Sequence, residues 1–174
     1  MWVIRLDENG TVKWEKTYGE FSFDRGYGVV IDKNSGDIII AGYSYVYTTR
    51  SIDAWVLRLD ENGSVKWQKT YGGGSDIDGG ALAIALADNG GDIIVAGFYG
   101  ATDWRYTGAD LWVFKLDGNG TLKWQRVYGG ETEGTRLTGL LWLTMGTLSW
   151  QATLKALVQA ERMLGLLVLT LMGM

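Results

Sequence analysis

At 174 residues the chain is long enough for one ordinary domain with a sizeable core. Sixteen Lys and Arg against 20 Asp and Glu leave a net charge of −4 with no long basic run, which excludes a surface built to neutralise phosphates. Cysteine and histidine are both absent, so disulfides, thiolate chemistry, and the commonest general base and metal ligand are excluded together.

The first stretch, WVIRLDENGTVKWEKTYG from Trp2 to Gly19, returns as WVLRLDENGSVKWQKTYG from Trp55 and as WVFKLDGNGTLKWQRVYG from Trp112. The opening tryptophans are Trp2, Trp55 and Trp112. A second tryptophan follows each of them 12 residues later, at Trp14, Trp67 and Trp124. No basic n-region and apolar h-region precede the first copy, so no signal peptide is read here. Met1 stands where the second copy has Ala54, so the chain is expected to begin in mid-repeat.

Between the copies lie GYGVVIDKNSGDIIIAGYSY and GALAIALADNGGDIIVAGFYG. Each full period therefore holds four short apolar segments, at about Ala81–Leu86, Asp92–Phe98, Ala54–Leu59 and Val65–Tyr71 in the wording of the central copy. Val, Ile, Trp and Tyr dominate them, and Gly, Asn and Asp punctuate them, as strands and turns require. VKWQKTY alternates, with Val65, Trp67 and Lys69 on one side and Lys66, Gln68 and Thr70 on the other. DIIVAG is a continuous apolar run, as expected of a strand covered on both faces.

Four antiparallel strands per period of about 40–55 residues is the pattern of a β-propeller blade. Such a blade must stack on neighbours to hide its faces, and the recurrent tryptophans suit that task. The expected fold is all-β, a partial β-propeller of about two and a half four-stranded antiparallel blades over residues 1–130. Residues 1–19 supply the outer two strands of the first blade, and full sets run from Tyr27 to Tyr71 and from Ala81 to Tyr128. Closed propellers have about four to eight blades.

The string W-V-x-K-L-D-x-N-G-x-x-x-W-Q-K-T-Y-G-G followed by D-I-I-V-A-G resembles the propeller repeats of archaeal and bacterial secreted or cell-surface proteins. The resemblance covers Met1 to about Gly130. It implies the propeller fold and an extracytoplasmic setting for the intact protein, and it carries no catalytic motif.

Asp7-Glu8-Asn9-Gly10, Asp60-Glu61-Asn62-Gly63 and Asp117-Gly118-Asn119-Gly120 read as hairpin turns, since Asn-Gly accepts the positive φ that strand twist demands. They do not match the calcium-loop pattern. Asp32, Asn34 and Asp37, in DKNSGD, come closer and are the weak metal candidates, though a turn is the expected reading there too. Asp24, Asp76, Asp78, Asp103 and Asp110 are placed in loops. Only Asp76 and Asp78 are close in sequence, too little for an acid–base pair. Gly72-Gly73-Gly74 has no helix behind it to make a phosphate loop. No catalytic residue and no cofactor is assigned.

After Gly130 the composition changes. Residues 132–174 lack Asp, Asn, Tyr, Ile and Phe but hold 12 of the 20 leucines, so the repeat's vocabulary is gone. Leu137–Leu154 is 18 residues without a charge, at the lower edge of a membrane span. ATLKALVQAERML reads as an amphipathic helix. A third reading explains more. Taking the third base of each codon with the first two of the next forces Ala at Trp150–Gln151, and Gly at both Met145–Gly146 and Met172–Gly173. The junctions around them permit A-D-N-G-D, V-A-G-Y, D-A-W and L-D-x-D-G in repeat order. The tail, 131–174, is therefore expected to be an out-of-frame translation of a further blade, with the shift between about Gly130 and Trp142.

The expected role is that of a binding or scaffold module, with a protein or glycan as the ligand of the intact propeller and self-association through open blade edges. The rivals are a propeller-based enzyme and a membrane-tethered surface propeller, the latter if 137–174 is a genuine anchor.

Overall fold

A computed structural model describes residues 1–19, 24–46, 51–72, 78–87, 91–101 and 108–128. Among the described residues the chain is all-β, with ten strands and no helix. They are β1 (Trp2–Leu6), β2 (Val12–Thr17), β3 (Arg25–Ile31), β4 (Ile38–Val46), β5 (Ser51–Leu59), β6 (Val65–Tyr71), β7 (Asp78–Leu86), β8 (Ile93–Ala101), β9 (Asp110–Leu116) and β10 (Leu122–Tyr128). The tail 131–174, with its helix, anchor and frame readings, lies outside the described residues.

The strands form three antiparallel sheets, ordered β1-β2, β3-β4-β5-β6 and β7-β8-β9-β10. In both four-stranded sheets each strand pairs with the next in the chain, so every connection is short and local. The second tryptophans occupy one position in all three sheets, opposite Arg5, Arg58 and Lys115 respectively. A register shift sits beside each of them, which shows that the bulge is part of the repeat.

Alternation sets the packing. Ile38 and Ile40 of β4, with Trp55, Leu57 and Leu59 of β5, pack toward Met1, Val3, Trp14 and Tyr18 of the first sheet. Ile39, Ala41, Ala54 and Val56 point the other way. They meet Ala81, Ile84, Ile93, Val95, Trp112, Phe114 and Leu116 of the third sheet. The apolar runs of β4 and β8 are thus covered on both faces, as DIIVAG predicts. Gly28 makes room for a close approach of the second and third sheets, since a Cβ there would lie 3.1 Å from the Ile84 amide nitrogen. Ala83, Ala85, Ala87, Ile94 and Ala96 form a further cluster on the opposite face of the third sheet.

Two of the expected loop carboxylates are corrected. Asp78 begins β7 and Asp110 begins β9, because β8 continues past Phe98 and pairs with both, Ala101 with Asp78 and Tyr99 with Asp110. Asp24 precedes β3 and is buried, accepting a hydrogen bond from Ser44 Oγ at 2.5 Å. Asp76 and Asp103 lie outside the described residues.

Candidate functional site

The three Asp-x-Asn-Gly turns share one construction. Asp7 Oδ1 accepts from the amides of Asn9 at 2.9 Å and Thr11 at 2.8 Å. Asp60 does the same for Asn62 and Ser64, and Asp117 for Asn119 and Thr121. The hydrogen bond from the residue four places on, above all, holds each carboxyl below its ordinary range. These carboxylates are turned toward their own turns, which leaves the turn carbonyls pointing outward.

Those carbonyls are where the sheets grip one another. Trp14 Nε1 donates to Glu61 O at 3.0 Å, Lys16 Nζ to Asn62 O at 2.8 Å and Tyr18 Oη to Gly63 O at 2.6 Å. Arg5 reaches Glu61 O as well. One period later Trp67 Nε1 donates to Gly118 O at 3.1 Å, Lys69 Nζ to Asn119 O at 2.9 Å and Tyr71 Oη to Gly120 O at 2.6 Å. Arg58 Nη1 reaches Gly118 O at 3.0 Å. Residues two apart on a strand share a face, so Trp-x-Lys-x-Tyr lays three donors in a row. Each lysine also lies over its own tryptophan ring, at 5.8 Å for Lys16 and 5.9 Å for Lys69. Burial first, then the nearby Asp60 or Asp117 charge, pushes both phenols up, so Tyr18 and Tyr71 stay protonated donors.

The turn glycine is required twice over where a clamp is seated on it. Gly120 has φ 74°, and a Cβ there would lie 2.9 Å from Trp67 Cζ3 and 3.0 Å from Tyr71 Oη. Gly10 has φ 82° with nothing within 4 Å of its Cβ position. Gly10→Ala is therefore expected to cost only the left-handed backbone term, about 1–2 kcal/mol. Gly120→Ala adds the displaced ring and hydroxyl, about 1–3 kcal/mol more. Urea midpoints measured at one protein concentration compare the two; equal losses would show that the clamp bears no load.

The weak metal candidates lie together at the β3–β4 turn, where they are engaged by cations of the protein itself. Asp32 is bridged by Arg58 Nη2 at 2.8 Å, and Asp37 by Arg58 Nε and Lys66 Nζ, both at 2.7 Å. Asn34 contributes its backbone amide to Asp32 Oδ1 at 3.0 Å. Burial works to raise both carboxyls, but these bonds and charges outweigh it and hold each below the ordinary range. In the third sheet Asp92 repeats the role of Asp37, bridged by Lys115 at 3.1 Å and Lys123 at 2.7 Å. A metal would have to displace these partners. Among the described residues no three carboxylates converge on a common point.

A groove of about 600 Å³ runs between the first and second sheets, lined among others by Ile4, Leu6, Tyr27, Val29, Ile31 and Ile40. Within the described sheets β1 pairs only with β2, whereas its counterparts β5 and β9 are paired on both edges. Val29 is 54% exposed in this groove, while its counterpart in β7, Ile84, is 3% exposed against the second sheet.

Among the described residues no helix is long and apolar enough to cross a membrane. No model of a known protein family matches the chain, and comparison with curated proteins returns no match.

Proposed function

We propose that the chain is part of a repeat β-propeller whose intact form is a binding or scaffold module outside the cytoplasm. The observation that carries this reading is the repeated clamp. The same three donors on one outer strand hold the same three carbonyls of the next turn at both sheet junctions. Each sheet is then a blade, and the repeat encodes the angle between neighbours as well as the blade itself. The ten described strands amount to two and a half such blades. Residues 131–174 carry a further blade in another reading frame, and restoring the frame near Gly130 extends the array.

A binding role is favoured over an enzymatic one by the commitments of the carboxylates. Asp7, Asp60 and Asp117 cap turns, and Asp32, Asp37 and Asp92 are ion-paired within their own sheets. The ligand class is protein or glycan, met on the loops and the groove of the assembled propeller.

Two measurements test the reading. The nucleotide sequence across residues 130–174 should encode A-D-N-G-D, V-A-G-Y and D-A-W in the alternative frame; stops there return the tail to an anchor role. The frame-restored protein should retain a component of an immobilised glycan or surface-protein panel saturably and without turnover. Turnover of any retained component, lost on substituting a described carboxylate, would replace this reading with the enzymatic one.

A further inference from the structure

We infer that Asn62 and Asn119 are latent self-modification sites, at which the closed clamp holds off succinimide formation and clamp opening is recorded as deamidation. This goes beyond the binding role and rests on the clamp alone, so it stands whatever the ligand of the intact propeller. The reaction is intramolecular. The Gly63 nitrogen bonds to Asn62 Cγ, the Cγ–Nδ2 bond breaks, and ammonia leaves with the glycine amide proton. Water then opens the five-membered ring. Opening at Cγ gives aspartate. Opening at the main-chain carbonyl gives isoaspartate, with the chain rerouted through Cγ and one methylene longer. Glycine favours the step because no side chain of its own shields the attacking nitrogen.

The reactants stand together at both junctions. Asn62 and Asn119 are exposed, so water reaches them, while Gly63 and Gly120, which carry the nucleophile, are buried. Lys16 Nζ donates to Asn62 O and Lys69 Nζ to Asn119 O, in each case the carbonyl of the peptide whose nitrogen attacks. An ammonium there draws charge out of the peptide and eases loss of its proton. Chemically, then, the two peptides are activated.

What they lack is freedom to move. Attack needs the face of the glycine nitrogen to meet Cγ, so the Asn-Gly peptide plane must turn. Gly63 N donates to Asp60 O at 3.1 Å and Gly120 N to Asp117 O at 3.0 Å, and turning the plane breaks that bond. Ring closure must also draw the glycine toward Cγ, and there the clamp opposes it. Tyr18 Oη holds Gly63 O, Tyr71 Oη holds Gly120 O, and the Trp14 and Trp67 nitrogens hold the carbonyl two residues back. The seat has no slack: a Cβ on Gly63 would lie 2.9 Å from Tyr18 Oη and 3.1 Å from Trp14 Cη2. The Asp60 and Asp117 carboxylates, each 2.9 Å from the neighbouring Asn amide, add negative charge beside a nitrogen that must itself become negative. Isoaspartate, once formed, shifts the two carbonyls that the lysine and tyrosine grip. The clamp cannot reseat in register, so an opened junction stays marked.

The full chain is incubated at mildly alkaline pH, and peptide mapping by mass spectrometry follows replacement of the side-chain nitrogen by oxygen at each Asn. Isoaspartate-specific methylation identifies the ring-derived product. In the unaltered protein both sites should react at least about tenfold more slowly than in denaturing urea. Trp14→Phe with Tyr18→Phe keeps Lys16 but removes two clamp bonds at the first junction. It should speed Asn62 by at least about tenfold and leave Asn119 as slow as before. Trp67→Phe with Tyr71→Phe should do the reverse. Far-UV circular dichroism checks that each variant keeps its β content, and one that loses it is replaced by Tyr18→Phe or Tyr71→Phe alone, with about fivefold expected. Native sites as fast as in urea, or a folded variant whose own site stays slow, would each overturn the inference. So would equal acceleration of both sites by one variant, which reports general unfolding, or a product free of isoaspartate, which reports direct hydrolysis without the ring.

Discussion

Gly97→Ala is expected to remove about 3 kcal/mol or more of stability, a large share of what a domain of this size holds. Gly97 pairs with Ala81 on one side and Trp112 on the other, in the middle of the third sheet. A Cβ built on it would lie 1.8 Å from Gly80 O, 2.8 Å from Gly80 C and 2.9 Å from Ala81 Cα. All three obstacles are backbone, so no rotamer change relieves them. The β7–β8 ladder would have to open beside its own register shift, between Ala81 and Ala83. Trp112 and Phe114, which are nearly fully buried, would then lose the strand that orders them. Gly42 repeats the arrangement, since a Cβ built on it would lie 1.8 Å from Arg25 O, so Gly42→Ala should behave alike. Gly91→Ala is the control, with nothing within 4 Å of its Cβ position and an expected change of about 0.5 kcal/mol or less. Urea unfolding followed by tryptophan fluorescence, at one protein concentration, compares them. Coincident midpoints for Gly97→Ala and Gly91→Ala would refute the account.

The need for glycine at Gly42 and Gly97 illustrates where the sequence stops being readable. The bounds of the strand over Val65–Tyr71 are legible because turn residues flank a run rich in Val, Trp and Tyr. Its burial is confined to Trp67 and Tyr71, since the register shift beside Trp67 interrupts the expected alternation and leaves Val65 exposed. The turns are legible because Asn-Gly names its own backbone geometry, and the two-faced burial of β4 and β8 follows from uninterrupted Ile and Val. Ala-Gly at the end of that run shows only that a small residue is tolerated; the nearby carbonyl comes from a strand paired in space. The clamp was hidden for a related reason. Its acceptors are backbone carbonyls, which no side-chain pattern displays, although three donors recurring on one face of each outer strand were there to be noticed. The Asp32, Asn34 and Asp37 cluster looked like ligands because sequence lists the carboxylates together. The cation that engages them stands 26 and 21 residues away.

Arg58→Met is expected to cost about 3–5 kcal/mol at pH 7, the range for stranding buried charge. The Arg58 fork spans Asp32 Oδ2, Asp37 Oδ2 and Gly118 O, joining the β3–β4 turn to the third sheet, while its side chain is only 11% exposed. Methionine fills comparable space, so the loss would report the polar contacts rather than a cavity. The pH dependence separates this from simple disruption. In the unaltered protein both carboxyls are held below their unfolded value of about 3.8–3.9. Their contribution is therefore complete above that value and is lost as pH falls through the lower folded values. Without Arg58, burial is opposed at Asp32 chiefly by the Asn34 amide and Ser35, and its carboxyl shifts upward. The proton that neutralises it is then taken up at higher pH, and the deficit of the variant should shrink between pH 7 and about pH 4.5. Asp37 keeps Lys66 and should contribute less to that change. Arg58→Lys should fall between the two, since one ammonium can serve one carboxylate, as Lys115 does for Asp92, but cannot span both. Urea unfolding of the three proteins at both pH values decides the matter: a deficit of the same size at pH 7 and pH 4.5 would mean that Arg58 holds this turn by packing and not by charge.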